Sequence, residues 1–241
     1  MKTALITGGT KGIGKAIAER LLKEDWNVIL TYLSDEKNAE SFQESLSLLH
    51  PERFIVLKVD CSNLQAISVI DNYLIENNIF LDSIIFNAGI TDRAAFEDII
   101  PENWQRVFDV NINFPTFLLQ KIASKLNNES SVIFTGSLMG IHPHSVSLSY
   151  GVTKAAVHSL VKNFVKIFSN RKIRINAVAP GFVNTEWQSN KAIEQKANIY
   201  KKISLERFCE PTELTDAYWF LINNNYVNGE ILVIDGGYSM L

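Results

Sequence analysis

The chain is poor in cysteine. Only Cys61 and Cys209 occur in 241 residues, far apart and in no metal-ligand spacing. That argues against a disulfide framework or a zinc site, and a reducing compartment is the natural setting. No stretch is long and apolar enough to cross a bilayer. Lys2 leads directly into Thr3–Thr7, too short an apolar run for a secretory leader. Neither sign of charge dominates: 23 Lys and Arg stand against 26 Asp and Glu, a net charge of -3. A polyanion binder needs a clustered basic surface, so nucleic acid is not the expected partner. With six prolines, no Pro- or Ser-rich linker divides the chain, and no internal repeat is visible. The expectation is a soluble, cytoplasmic protein with one domain over residues 1–241.

What is present is an ordinary hydrophobic fraction, 46%, arranged in short runs. They are Ala4-Leu5-Ile6, Val28-Ile29-Leu30, Phe54-Ile55-Val56-Leu57, Ile84-Ile85-Phe86, Val132-Ile133-Phe134, Ile173 to Val178, and Ile231-Leu232-Val233-Ile234. Several are β-branched and lack the strict alternation of a half-wet sheet. The intervening stretches are mostly long enough for crossover helices, and Ile13, Ile17 and Leu21-Leu22 repeat at helical spacing. This predicts an α/β fold: a three-layer, Rossmann-like, doubly wound parallel sheet of about seven strands with helices on both faces. The segment 182–226 shows no clear strand and carries Trp187, Tyr200 and Phe208. It reads as a substrate lid and C-terminal helical segment, or equally as an extra helical layer that only packs.

Between the first strand and first helix stands Thr7-Gly8-Gly9-Thr10-Lys11-Gly12-Ile13-Gly14. Glycines there allow a tight turn and close approach of backbone to a pyrophosphate, with the helix N-terminus facing the phosphates. Near the end of the second strand, where a carboxylate would accept from a ribose 2′-OH, the residue is Tyr32. Lys11 offers a positive charge to a 2′-phosphate instead. Asp35 and Glu36 follow soon after, and position 33 is not basic. Asp60 ends the third strand, and Asn87-Ala88-Gly89 the fourth. Tyr150 and Lys154 share a helix face at i, i+4. An ammonium beside a phenol is expected to lower a pKa of about 10 in model compounds. Ser137 ends the fifth strand, Asn111 lies in the preceding helical segment, and Pro180, Gly181, Val183 and Thr185 follow the sixth strand.

Together the T-G-x-x-x-G-x-G loop, N-A-G, Ser137, Y-x-x-x-K, P-G-x-x-x-T and Asp235-Gly236-Gly237 resemble the short-chain dehydrogenases/reductases along essentially the whole chain. The branch most similar is that of the 3-oxoacyl-[acyl-carrier-protein] reductases. The resemblance implies an enzyme with the tetrad Asn111, Ser137, Tyr150 and Lys154. In it, Tyr150 exchanges a proton with a carbonyl oxygen that Ser137 hydrogen-bonds. Lys154 holds the nicotinamide ribose and lowers the tyrosine pKa, and Asn111 positions a water. It also implies cofactor contacts at Gly8, Thr10, Lys11, Gly12, Ile13, Gly14, Asp60, Asn87, Ala88, Gly89, Tyr150, Lys154, Pro180, Gly181, Val183 and Thr185. Asp60 would face the adenine. NADP(H) is favoured over NAD(H), because Lys11 is present and Tyr32 is not acidic.

The substrate is open: an acyl thioester, with acyl-carrier protein as a partner, or a sugar, polyol or small ketone. A non-catalytic dinucleotide-sensing regulator would predict erosion of the Tyr/Lys pair, which is intact. His142 and His144 flank the expected substrate pocket without completing a metal set, so no metal is expected. His158 reads as a structural histidine. Lys162, Lys166, Arg171, Lys172 and Arg174 read as a solvated basic run, with an acidic carrier docking there as the alternative. The segments Asn103–Leu126 and Tyr150–Phe168 read as helices, the second apolar on more than one side. In relatives they pair across a two-fold axis, and the C-terminal strand with Asp235–Leu241 completes a second. The expectation is a homotetramer, with a dimer as the alternative and Phe164 in the interface.

Overall fold

The computed structural model describes residues 1–143, 147–189 and 191–240. In chain order the elements are β1 Thr3–Thr7, α1 Gly12–Lys23, β2 Asn27–Tyr32, α2 Glu36–Leu49, β3 Phe54–Lys58, α3 Ile67–Glu76 and β4 Leu81–Phe86. Then come α4 Pro101–Phe108, α5 Phe114–Lys121, β5 Leu126–Thr135, α6 Leu148–Phe168 and β6 Arg174–Pro180. The chain ends with α7 Glu186–Ser189, α8 Ile193–Tyr200, α9 Pro211–Asn223 and β7 Ile231–Ile234.

The seven strands form one parallel sheet in the order β3-β2-β1-β4-β5-β6-β7. Each of the seven apolar runs supplies one strand. The runs lack alternation because both faces are covered. Leu5, Ile84 and Val132 point into a core with Leu74 of α3, Leu118 of α5 and Val161 of α6. Ala4, Ile6 and Ile85 point the other way, onto Ile17 of α1, Phe42 of α2 and Tyr218 of α9. Strand order reverses between β1 and β4, so the loops after these strands diverge and leave a crevice at their carboxyl ends.

Several expectations change. The single helix expected over Asn103–Leu126 is broken: α4 and α5 are separated by a π-turn, Asp109–Asn113. The wider turn carries Asn111 inward, where Ile90 and Thr153 satisfy its side-chain amide. Much of the segment after Phe182 packs into the fold. Tyr200 and Phe208 pack with Phe182 and Tyr238 in an aromatic cluster, and α9 packs on α1 as part of the core layer. Arg174 is not solvated. It is buried and donates to the carbonyls of Leu221 and Ile222 at the end of α9. There it supplies charge-assisted partners to a helix C-terminus. Arg171 likewise donates to the carbonyls of Ala123 and Leu126.

Candidate active site

The glycine loop is shaped by backbone geometry. Gly8 and Gly12 lie at φ +64° and +52°, the left-handed region that side chains disfavour. A Cβ on Gly14 would sit 2.2 Å from the Gly8 carbonyl and 2.6 Å from Asn87 Nδ2. The start of α1 therefore lies directly against the loop it follows. Asn87 closes the assembly: its Nδ2 donates to the carbonyls of Thr7 and Gly8 at 3.2 and 3.0 Å. Thr7 Oγ1 accepts from the backbone of Asn87 and Ala88. The loop after β1 is thus fixed to the end of β4, forming one wall of the crevice.

That crevice is a cavity of about 480 Å³. It brings together Gly8, Thr10, Lys11, Gly12, Ile13, Asp60, Asn87, Ala88, Gly89, Ser137, Tyr150, Lys154, Pro180, Gly181, Val183 and Thr185. Gly14 and Asn111 stand behind its wall. Asp60 is oriented by accepting from the Ser62 backbone and hydroxyl at 2.8 and 2.7 Å. Residues that sequence reasoning did not place in the site also line it: Cys61, Thr91, Arg106, Thr135, Glu186 and Gln188, with Asp35 near Lys11. Glu186 and Gln188 were foreseeable as the continuation of Thr185. Arg106 reaches the site from α4, and no motif signals it. Of the three lid aromatics, Trp187 alone lines the cavity, its ring edge-on to Tyr150 with centroids 5.6 Å apart.

At the other end, Ser137 leaves β5 in extended conformation, and its Oγ accepts from Met139 N at 3.2 Å. Tyr150 enters on the first turn of α6, and both it and Ser137 line the cavity. Lys154, one turn on, is buried; its Nζ donates to the Thr135 carbonyl at 2.6 Å and lies 5.4 Å from the Tyr150 ring centroid. Gly89 leaves room beside it: a Cβ there would come within 3.3 Å of Asn111 Oδ1 and 3.6 Å of Lys154 Nζ.

The electrostatics correct one expectation. Burial pushes the Tyr150 phenol up to about 12, with the Ser137 hydrogen bond opposing. Removal from water disfavours the phenolate and outweighs what opposes it; the Lys154 ammonium, over the ring, is engaged by the Thr135 carbonyl. Burial also draws Lys154 down to about 8. A protonated phenol is the state able to donate. His158 follows one turn later as a structural residue: its Nε2 accepts from Ser137 N at 3.4 Å. Burial, then Lys154 and Lys162, hold it down to about 4, so it stays neutral. His142 is exposed, and His144 lies outside the described residues. Among the described residues no group of three His, Cys, Asp or Glu is placed to hold a metal ion, and no helix is long and apolar enough to cross a membrane.

A dinucleotide fits this cavity on the structure's own terms. Gly8, Thr10, Gly12 and Ile13 bring the loop before α1 and the first turn of that helix to the crevice, where unpaired helix N-terminal amides suit a phosphate.

Comparison with known proteins places these features in context. Residues 8–239 match the family model described as enoyl-(acyl carrier protein) reductase. The chain is 32% identical to glucose 1-dehydrogenase 2 of Bacillus subtilis, covering 99% of this chain and 95% of that protein. It is 27% identical to the 3-oxoacyl-[acyl-carrier-protein] reductase FabG of Staphylococcus epidermidis, covering 99% of both. The solved short-chain dehydrogenase/reductase of Serratia marcescens superposes with a TM-score of 0.92 at 25% identity, over 99% of this chain and 98% of that one.

Proposed function

The chain belongs to the short-chain dehydrogenase/reductase family and is an NAD(P)-dependent oxidoreductase, and from that premise we propose that it interconverts a carbonyl and a secondary alcohol using NADP(H). The observation that carries this reading is the Ser137–Tyr150 hydroxyl pair in the same cavity as the glycine loop. When bound, the nicotinamide supplies or receives the hydride. Tyr150 Oη holds the proton destined for the carbonyl oxygen, and burial keeps it there at neutral pH. Ser137 Oγ donates to the same oxygen as charge develops. Asn111 ties Ile90, in the loop after β4, to Thr153 of α6, which holds the wall beside Lys154. Lys154, buried and lining the same cavity, would hold the ribose of the nicotinamide.

A 3-oxoacyl thioester, delivered by an acyl-carrier protein, is the substrate class we favour. The likeness to FabG and the apolar wall of Ile90, Val183 and Trp187 support it. A sugar or polyol is the second reading, favoured by the likeness to a glucose dehydrogenase and by the buried Gln188 Oε1, which has no hydrogen-bond partner among the described residues. Following NADPH and NADH absorbance with acetoacetyl-coenzyme A, small ketones and glucose separates these readings. Turnover with none of them would refute both.

A cytoplasmic homotetramer completes the proposal. α5 and α6 leave Phe117, Val152 and Ile167 exposed, and such surface suits an isologous interface. Phe164 is not suited to test this, because it stacks on Phe134 in the core.

A further inference from the structure

One acceptor in the cavity wall has nothing to accept. Gln188 lines the cavity, and its Oε1 is buried without a hydrogen-bond partner among the described residues. Its backbone is held on both sides: Gln188 N donates to the Thr185 carbonyl at 2.8 Å, and its carbonyl accepts from Lys191 N at 3.2 Å. Thr185 in turn stands against the glycine loop, its Cγ2 3.2 Å from where a Cβ on Gly12 would lie. The preceding residue, Trp187, is edge-on to the Tyr150 ring. Gln188 is therefore anchored one residue beyond the contact with Tyr150, on the same cavity. Ile90 and Val183, which also line it, carry no side-chain donor. The Thr91 hydroxyl, also in the lining, donates elsewhere, to Ser147 Oγ at 2.8 Å. A buried acceptor left without a donor costs free energy, and native folds leave few of them.

We propose that Gln188 is a specificity-determining residue whose Oε1 accepts a hydrogen bond from an O–H or N–H that the substrate carries beside its reacting carbonyl. This rests on the carbonyl/alcohol reading above. Both substrate classes weighed there supply such a donor: a sugar or polyol through a second hydroxyl, an acyl thioester through the amide of its pantetheine arm. A simple ketone or an alkyl thioester supplies none. Oε1 has no protein hydrogen bond to give up, so turning it onto a substrate donor gains one bond and loses none. A substrate without the donor leaves the acceptor orphaned, and a site built this way selects against it.

The experiment measures kcat/KM for two matched pairs of carbonyl substrates, followed by nicotinamide absorbance. Hydroxyacetone and acetone differ by a hydroxyl. The N-acetylcysteamine and S-ethyl thioesters of acetoacetate differ by an amide. Within each pair the ratio of kcat/KM is compared between wild type and variant, so intrinsic reactivity cancels. Gln188→Met has a similar unbranched shape and no carbonyl acceptor. It should lower the preference for the donor-bearing member of one pair by about tenfold, and the pair affected identifies the donor as hydroxyl or amide. Gln188→Glu keeps acceptor oxygens and should retain the preference. Titration with NADPH, read by nicotinamide fluorescence, verifies that each variant is folded. Ratios that Gln188→Met moves by less than about twofold in both pairs overturn the inference and leave the oxidoreductase reading intact. A preference lost as fully in Gln188→Glu as in Gln188→Met also overturns it. A wild-type protein that reduces no carbonyl with either cofactor overturns both.

Discussion

Lys154 is a cation buried at the floor of the cavity, and its cost to the fold is measurable. Its pKa falls from 10.5 to about 8 because burial disfavours the charged form. At 1.36 kcal/mol per pH unit, that difference corresponds to about 3 kcal/mol. The unfolded chain binds the proton more tightly than the native one. Below pH 8 the full penalty is present, and it is relieved as pH rises from 8 to 10.5. Lys154→Met removes the charge and roughly conserves the volume, but it also leaves the Thr135 carbonyl without its donor, a loss of about 1–3 kcal/mol. At pH 7 the two effects nearly cancel, leaving Met ahead by about 0–2 kcal/mol. The pH-dependent part is cleaner. Urea melts of both proteins from pH 7 to 10.5 should show wild type gaining on the variant by about 3 kcal/mol in total. The thiols of Cys61 and Cys209 are raised by burial and act against stability at high pH, yet both proteins contain them, so the difference isolates Lys154. A difference that stays flat across this range would refute the buried-cation argument.

Further outcomes are expected at neighbouring positions. His158 is held near 4, against 6.5 when free. Stability is therefore complete above pH 6.5 and lost as pH falls toward 4, by about 2–3 kcal/mol; His158→Gln should flatten that acid limb in denaturant melts. Tyr150→Phe should cut turnover by about 10²–10⁴-fold with NADPH affinity kept, and near-normal turnover would remove Tyr150 from the chemistry. Gly14→Ala places a Cβ 2.2 Å from the Gly8 carbonyl; it should cost about 1–3 kcal/mol in thermal melts and weaken dinucleotide binding. Phe117→Glu should lower the mass seen by light scattering, and an unchanged tetramer would place the interface elsewhere.

The alternation of apolar runs with helical patterns was enough to specify seven strands and two covered faces, because burial on both sides leaves a continuous hydrophobic signature. The glycine loop, N-A-G, Ser137 and the Tyr150/Lys154 pair were legible for a related reason. Each is a local requirement of the backbone or of one helix face, so spacing along the chain carries it. The rest depended on what meets across the fold. The π-turn that turns Asn111 inward exists because Ile90 and Thr153 await its amide, and neither is near it in sequence. Arg174 looked like one more surface charge until β6 set it under the end of α9. The Tyr150–Lys154 spacing put two side chains on one face, but it could not show that the ammonium would be taken by Thr135 or that burial would raise the phenol. Nor could it place Asp35 beside Lys11, 24 residues away along the chain and 3.9 Å away in space. Desolvation and charge pairing depend on three-dimensional distance, which tertiary packing alone decides.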